Sequence, residues 1–204
     1  MSDAVDAFDK AAGGYDDWYA TEKGRQVFVA EKRLLERMLP RGGVGLEIGA
    51  GTGVFAEAVT GSRRVICLDL SREMLAKAAG KGLPCMLGSA DRIPLRDGAL
   101  GFAYMVTVVE FLKEPIAVFR EASRVTARGA PVVALTINAD SSWGSLYSSM
   151  ALGGDPIFSH ATLYTPPEVD AIGSLAGLHS VKALGTLTTN PTSPEAGDKI
   201  VEPS

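Results

Sequence analysis

The run Leu46-Glu47-Ile48-Gly49-Ala50-Gly51-Thr52-Gly53 constrains the fold of this chain more than any other segment. An apolar stretch of strand character ends in three glycines at alternate positions. There the backbone can enter conformations closed to residues with a Cβ, and a ligand can approach main-chain atoms directly. The neighbours of those glycines sort the candidate ligands. A dinucleotide fingerprint needs glycine or another small residue at the last position of G-x-G-x-x-G, and counted from Gly49 and Gly51 that position is Val54. Glu47 points the same way, because a carboxylate leading into the turn repels a diphosphate and favours a ligand with positive charge at this end. A tight strand-to-helix connection without ligand is the competing reading of a lone glycine-rich turn.

A second apolar run, Arg63-Arg64-Val65-Ile66-Cys67-Leu68-Asp69-Leu70-Ser71, ends in an acid 20 residues after Gly49. That is the spacing at which a carboxylate closing the neighbouring strand binds ribose hydroxyls. The spacing alone also fits a nicotinamide enzyme; only the combination with Glu47 and Val54 argues against one.

With 204 residues, 46% of them hydrophobic, the chain is long enough for one substantial core. A net charge of −4 supplies no basic footprint for a nucleic acid. No apolar run approaches the roughly 20 residues of a membrane span, and the N-terminus lacks the layout of a signal peptide, so the expected location is the cytoplasm. The two cysteines, Cys67 and Cys85, have no metal-ligand spacing and read as buried free thiols in strands. No metal site is expected.

Helical and strand patterns alternate along the chain, the signature of a sheet with helices on both faces. A short helix is predicted over 4–11, then a longer one opened by Thr21, with Val27, Ala30, Leu34, Leu35 and Met38 at helical spacing. Strands are predicted over 44–48, 65–68, 84–87, 102–108 and 131–137. Ser71 caps a helix to about Ala79, and a further helix spans 114–126. Thr165-Pro166-Pro167-Glu168 reads as a capping box opening a helix that stops at Gly177. Residues 180–187 read as a strand, and 188–204 as a polar, loose tail.

These motifs resemble the class I S-adenosylmethionine-dependent methyltransferases, in particular the ubiquinone/menaquinone-methylase-like small-molecule group. The resemblance runs from about residue 8 to about residue 181. After L-E-I-G-A-G-T-G and C-L-D-L-S-x-x-M-L come G-S-A-D-R-I-P-L-R-D-G at 88–98, F-A-Y-M-V-T-V-V-E-F-L at 102–112 and R-E-A-S-R-V-T-A-R-G-A-P-V-V-A-L-T at 120–136, in the family's order. It implies one α/β domain over 1–187 with a doubly wound, Rossmann-like sheet of six or seven strands, the last antiparallel strand being short or missing here. It also implies methyl transfer from S-adenosylmethionine, with S-adenosylhomocysteine as product, to a small-molecule acceptor by in-line displacement.

By the same resemblance, Glu47 and the backbone of Gly49, Ala50, Gly51 and Gly53 hold the methionine end of the cofactor. Asp69 takes the ribose hydroxyls, Leu70 and Met74 flank the adenine, and Asp91 with the Ala90 amide reads its edge. Carbonyls near Thr107 and Val108 face the methionyl ammonium. Residues 1–40 correspond to a lid, from which Tyr15 and Trp18 offer π faces and polar tips. Each position also has a plain reading as a cap, a turn or a core residue.

The acceptor side rests on composition. The insertion 141–165 contains Trp143, Tyr147 and Tyr164, suited to lining an apolar pocket or to covering the core. His160 lies there as a candidate general base. Many relatives carry a glutamate-histidine pair after the fourth strand; here the pair reads Glu110-Phe111, leaving Glu110 as a weak base, a partner for a cationic amine, or a helix cap. A protein that binds the cofactor without turnover, and a nicotinamide-dependent oxidoreductase, remain the alternatives.

Overall fold

The computed structural model describes residues 3–202. The chain opens with α1 (Asp3–Ala11), α2 (Asp17–Ala20) and α3 (Glu22–Met38). Thr21 starts α3 as its position predicts: its backbone is extended, and its hydroxyl oxygen accepts from the Gly24 N–H at 3.0 Å, satisfying one donor that the first helical turn leaves free. There follow β1 (Gly43–Ile48), α4 (Val54–Val59), β2 (Arg63–Asp69), α5 (Arg72–Gly80), β3 (Cys85–Leu87) and β4 (Phe102–Val106). The series closes with α6 (Pro115–Val125), β5 (Val132–Leu135), α7 (Ser142–Leu152) and α8 (Pro166–Leu175).

The five strands form one parallel sheet in the order β3-β2-β1-β4-β5. Because side chains alternate across a strand, the same strands feed two cores. Cys67, Phe102, Tyr104 and Val133 pack on one face against Leu35 of α3, Phe55, Ala56 and Val59 of α4, and Leu75 and Ala78 of α5. Leu46, Ile48, Leu68, Ala103 and Met105 pack on the other against Val118, Phe119, Ala122 and Val125 of α6, Ile172 of α8 and Ala176 just past its end. Burying a side chain of this size contributes roughly 1.5–3 kcal/mol, so both faces drive the wound arrangement.

Three expectations are corrected. Among the described residues the sheet has five strands rather than the expected six or seven. Residues 180–187 form no strand: Val181 is 95% exposed, Leu187 turns into the left-handed region at φ 56, and the segment's only ladder contact is an isolated antiparallel bridge between Gly185 and Val201. Cys85, expected to be buried, is exposed because β3 is the sheet edge.

The polar tail does not hang free of the domain, although its residues 203 and 204 lie outside the described residues, as do residues 1 and 2 of the lid segment. The Trp143 indole N–H donates to the Thr189 carbonyl at 3.0 Å, and the Ala196 N–H donates to Gln26 Oε1 at 2.9 Å. Lys23 Nζ donates to the Ser193 carbonyl, and Arg33 pairs with Asp198. The tail thereby docks on α3 and α7, mainly through its backbone and in one ion pair through Asp198.

Candidate active site

A cavity of about 600 Å³ opens at the carboxyl ends of the strands, within the roughly 300–1,000 Å³ of small-molecule sites and where open α/β sheets place their ligands. Its floor is the glycine turn and the ends of β2 and β4. Gly49, Gly51 and Gly53 adopt φ of 68, 54 and 75. The Gly49 and Ala50 N–H groups both donate to the Leu68 carbonyl, at 2.8 and 3.0 Å, fastening the turn to β2. A Cβ at Gly49 would lie 2.5 Å from Val108 Cγ2, whereas one at Gly51 would meet nothing within 4 Å. The first glycine therefore lets two wall segments touch.

Asp69 closes β2 and lines the cavity. Its Oδ2 accepts from the Gly51 N–H at 2.7 Å and its Oδ1 from the Ser71 N–H at 2.8 Å. Burial raises its pKa, and those bonds work against the rise. Each oxygen keeps a lone pair for a further donor. Leu70, 50% exposed, and Met74, buried, stand beside it on the wall, with Gly88 and Ala90 next in the chain. Past the end of β4, Thr107 holds a left-handed φ of 49 while its N–H donates to the Leu135 carbonyl at 2.8 Å. A threonine in that region costs roughly 1–3 kcal/mol.

The N-terminal helices cover this floor. Ser71 accepts from the Met74 N–H at 3.1 Å and donates to Asp9 of α1. Asp16 accepts from the Thr52 hydroxyl at 2.5 Å and pairs with Lys81 at 2.8 Å. Tyr15 and Trp18 line the cavity on this side. Burial pushes the Tyr15 hydroxyl up to about 12, against a hydrogen bond with Tyr19 that lowers it.

Opposite the floor, Trp143 and Tyr147 of α7 line the cavity with Phe158, Glu31 of α3 and Pro191 of the tail. Edge-on and tilted rings run almost continuously round it. Tyr15 meets Phe8 at 6.3 Å, Phe8 meets Phe111 at 5.1 Å, Phe111 meets Phe158 at 6.1 Å and Phe158 meets Tyr147 at 4.3 Å.

Residues 46–134 match the methyltransferase domain family model. Over 183 residues the chain is 30% identical to an uncharacterized protein of Methanocaldococcus jannaschii, covering 90% of this chain and 86% of that one. A malonyl-[acyl-carrier protein] O-methyltransferase of Marinomonas is 29% identical over 140 residues, 64% of this chain and 50% of the enzyme. The crystal structure of a Thermotoga maritima S-adenosylmethionine-dependent methyltransferase, described as a possible histamine N-methyltransferase, superposes with a TM-score of 0.88 at 25% identity, covering 98% of this chain and 93% of its own. The chain belongs to the class I S-adenosylmethionine-dependent methyltransferases. S-Adenosylmethionine is its cofactor.

Several residues singled out in the sequence stand off the cavity wall of this methyltransferase. Glu47, 2% exposed, lies beneath the turn, where its Oε2 accepts from the Tyr104 hydroxyl at 3.0 Å across the β1–β4 pair. Burial pushes it up to about 8, against the Tyr104 bond and a backbone bond from Ala56. Ala50 faces the core, Gly53 serves as the left-handed cap of α4, and Asp91 is exposed outside the wall.

Glu110, also 2% exposed, sits behind Phe111 and Ile137 rather than on the surface of the cavity. Its Oε1 accepts from the Ile137 N–H at 2.7 Å, its Oε2 has no partner among the described residues, and burial pushes it up to about 7. It caps no helix: α6 begins at Pro115. His160 is exposed on the outer side of a 3-10 turn whose Phe158 points inward, and Tyr164 packs against the α6–α8 core, bridged to Asn138. Sequence reasoning missed Glu31, Phe8, Phe111 and Pro191 on the wall. Only the helical spacing of Lys23, Val27 and Glu31 signalled that Glu31 shares a face with a buried valine.

Proposed function

We propose that the protein transfers the methyl group of S-adenosylmethionine to a small-molecule acceptor held in the same cavity. The carrying observation is that one cavity joins a glycine turn with the Asp69 carboxylate at one end to an aromatic, largely apolar wall from α3, α7 and the tail at the other. The residues present suit this cofactor. The open lone pairs of Asp69 suit a ribose diol, the open space above Gly51 suits a group lying against backbone, and Leu70 and Met74 suit the two faces of an adenine. The Ala90 amide and the carbonyls of Thr107 and Val108 are the remaining polar handles on this side.

The cofactor supplies an electrophilic methyl group on a sulfonium. The chain supplies alignment and exclusion of water, since charge is lost along an in-line displacement. Phe8, Tyr15 and Trp18 close the site over the floor, fastened through Asp9 and Asp16. Glu47 acts as a positioning residue, bracing the turn from below through Tyr104. The acidic charge balance and the apolar wall support a small molecule over a nucleic acid. Among the described residues no helix is long and apolar enough to cross a membrane.

Calorimetry tests the reading: S-adenosylhomocysteine binds the wild type and NADH does not, and Asp69→Ala lowers the affinity at least tenfold by removing the partner of two hydroxyls, about 1.4 kcal/mol or more. Equal binding by wild type and Asp69→Ala would overturn the assignment.

A further inference from the structure

The cavity carries a second carboxylate that the cofactor reading leaves unused. Lys23, Val27 and Glu31 lie on one face of α3, four residues apart, and all three line the cavity. Lys23 is turned to the tail, where its Nζ donates to the Ser193 carbonyl. The Glu31 carboxylate has no hydrogen-bond or ion-pair partner among the described residues. The titratable groups facing it are Tyr15 from the segment before α2, Tyr19 of α2, Tyr147 of α7 and, behind the wall, Glu110, whose charge adds to the upward push on Glu31. None is a cation. Trp18 and Trp143 complete an aromatic enclosure.

A carboxylate left unpaired in such surroundings is costly, and the guest that offsets the cost is a cation. An ammonium group gains from the ionised Glu31 and from the ring faces together. An anionic guest keeps Glu31 protonated and, like a neutral hydroxyl, gains at most one ordinary hydrogen bond from it. We infer that the methyl acceptor is an amine carried on an apolar, ring-sized body, with Glu31 holding its ammonium among Tyr15, Tyr19 and Tyr147 and taking the proton that the nitrogen must lose. This rests on the methyl-transfer reading. The ammonium N–H proton passes to Glu31, freeing the nitrogen lone pair. That lone pair forms the N–C bond as the C–S bond breaks, and the sulfur keeps the electron pair as a neutral thioether. The product leaves as a methylated ammonium, and the proton on Glu31 returns to solvent.

Burial pushes Glu31 up to about 8, so the empty site holds it protonated at neutral pH. Binding an ammonium then expels that proton, about 0.9 per site at pH 7.

The test compares wild type with Glu31→Gln by calorimetry at pH 7, in phosphate and in Tris, whose ionisation heats differ. S-Adenosylhomocysteine is titrated first, then 2-phenylethylamine, 2-phenylethanol and 3-phenylpropionate onto the loaded protein. Both proteins are expected to bind S-adenosylhomocysteine within twofold of each other, which also shows that the variant is folded. The amine is expected to bind wild type at least tenfold more tightly than the alcohol or the acid, with proton release. Glu31→Gln is expected to lose the release and at least tenfold in amine affinity. N-methylation from S-adenosylmethionine should fall with it. Absence of amine binding, equal binding of the alcohol, or unchanged proton release in Glu31→Gln overturns the inference. So does a matching loss of S-adenosylhomocysteine affinity, which would assign Glu31 to the cofactor. Failure of wild type to bind S-adenosylhomocysteine at all would instead count against the methyl-transfer reading.

Discussion

Replacing Glu47 by glutamine should change how stability depends on pH. In the folded protein burial pushes this carboxyl up to about 8 from an ordinary value of 4.5. Below about pH 4.5 it is protonated in both states and costs nothing. As pH rises from there the unfolded chain gives up the proton and the folded one keeps it, so stability falls by about 1.4 kcal/mol per pH unit until the folded group also ionises near pH 8. Between pH 5 and pH 8 the loss is about 3 kcal/mol. Glutamine removes it while leaving a carbonyl oxygen to accept from Tyr104. Its amide N–H₂ then lacks an acceptor, at a cost of roughly 1–3 kcal/mol that is the same at every pH. Urea unfolding of both proteins without cofactor, at each pH unit from 5 to 8, should show the stability difference moving by about 3 kcal/mol in favour of Glu47→Gln as pH rises. Glu31 and Glu110, pushed up for the same reason, slope both curves alike and cancel. Parallel curves would refute the argument, because Glu47 would then titrate as in the unfolded chain.

Two further substitutions probe the floor and its cover. Gly49→Ala combines a left-handed φ of 68, worth roughly 1–2 kcal/mol for a residue with a Cβ, with a contact of 2.5 Å to Val108. S-Adenosylhomocysteine affinity measured by calorimetry should fall at least tenfold, and an unchanged affinity would contradict the close packing of turn and wall. Asp16→Asn weakens the clasp to Lys81, a partly exposed ion pair worth about 0–1 kcal/mol, so the melting temperature should barely move. The dissociation rate of S-adenosylhomocysteine, followed by stopped-flow tryptophan fluorescence, should nonetheless rise about threefold, a factor set by that same energy; an unchanged rate would show that the N-terminal helices do not gate release.

What the sequence made legible was local. Thr21, Ser71 and the three glycines act within a few residues of themselves, and Asp69 meets partners in its own turn and in the glycine turn that its spacing points to. Glu47 shows where such reasoning ends: its charge is plain in the chain, but its partner Tyr104 lies 57 residues on, in a strand whose register decides the pairing. Glu31 stands among Lys32, Arg33, Glu36 and Arg37 and reads as part of a solvated helical face until α2 and α7 close over it. His160 and Tyr164 were selected by residue type, and a turn of the backbone sends Phe158 inward in place of His160. The tail looked loose because its composition is polar, yet it is held largely through carbonyl and amide groups that every sequence possesses.

The two ends of the cavity are drawn from different stretches of the chain. The floor comes from residues 49–108 at the tips of β1, β2 and β4, while Glu31, Trp143, Tyr147 and Pro191 arrive from a preceding helix, a following helix and the tail. Exchange of side chains in that outer set can therefore retune which molecule is accepted without disturbing the strand tips beneath, much as a lock is recut while its bolt stays in place.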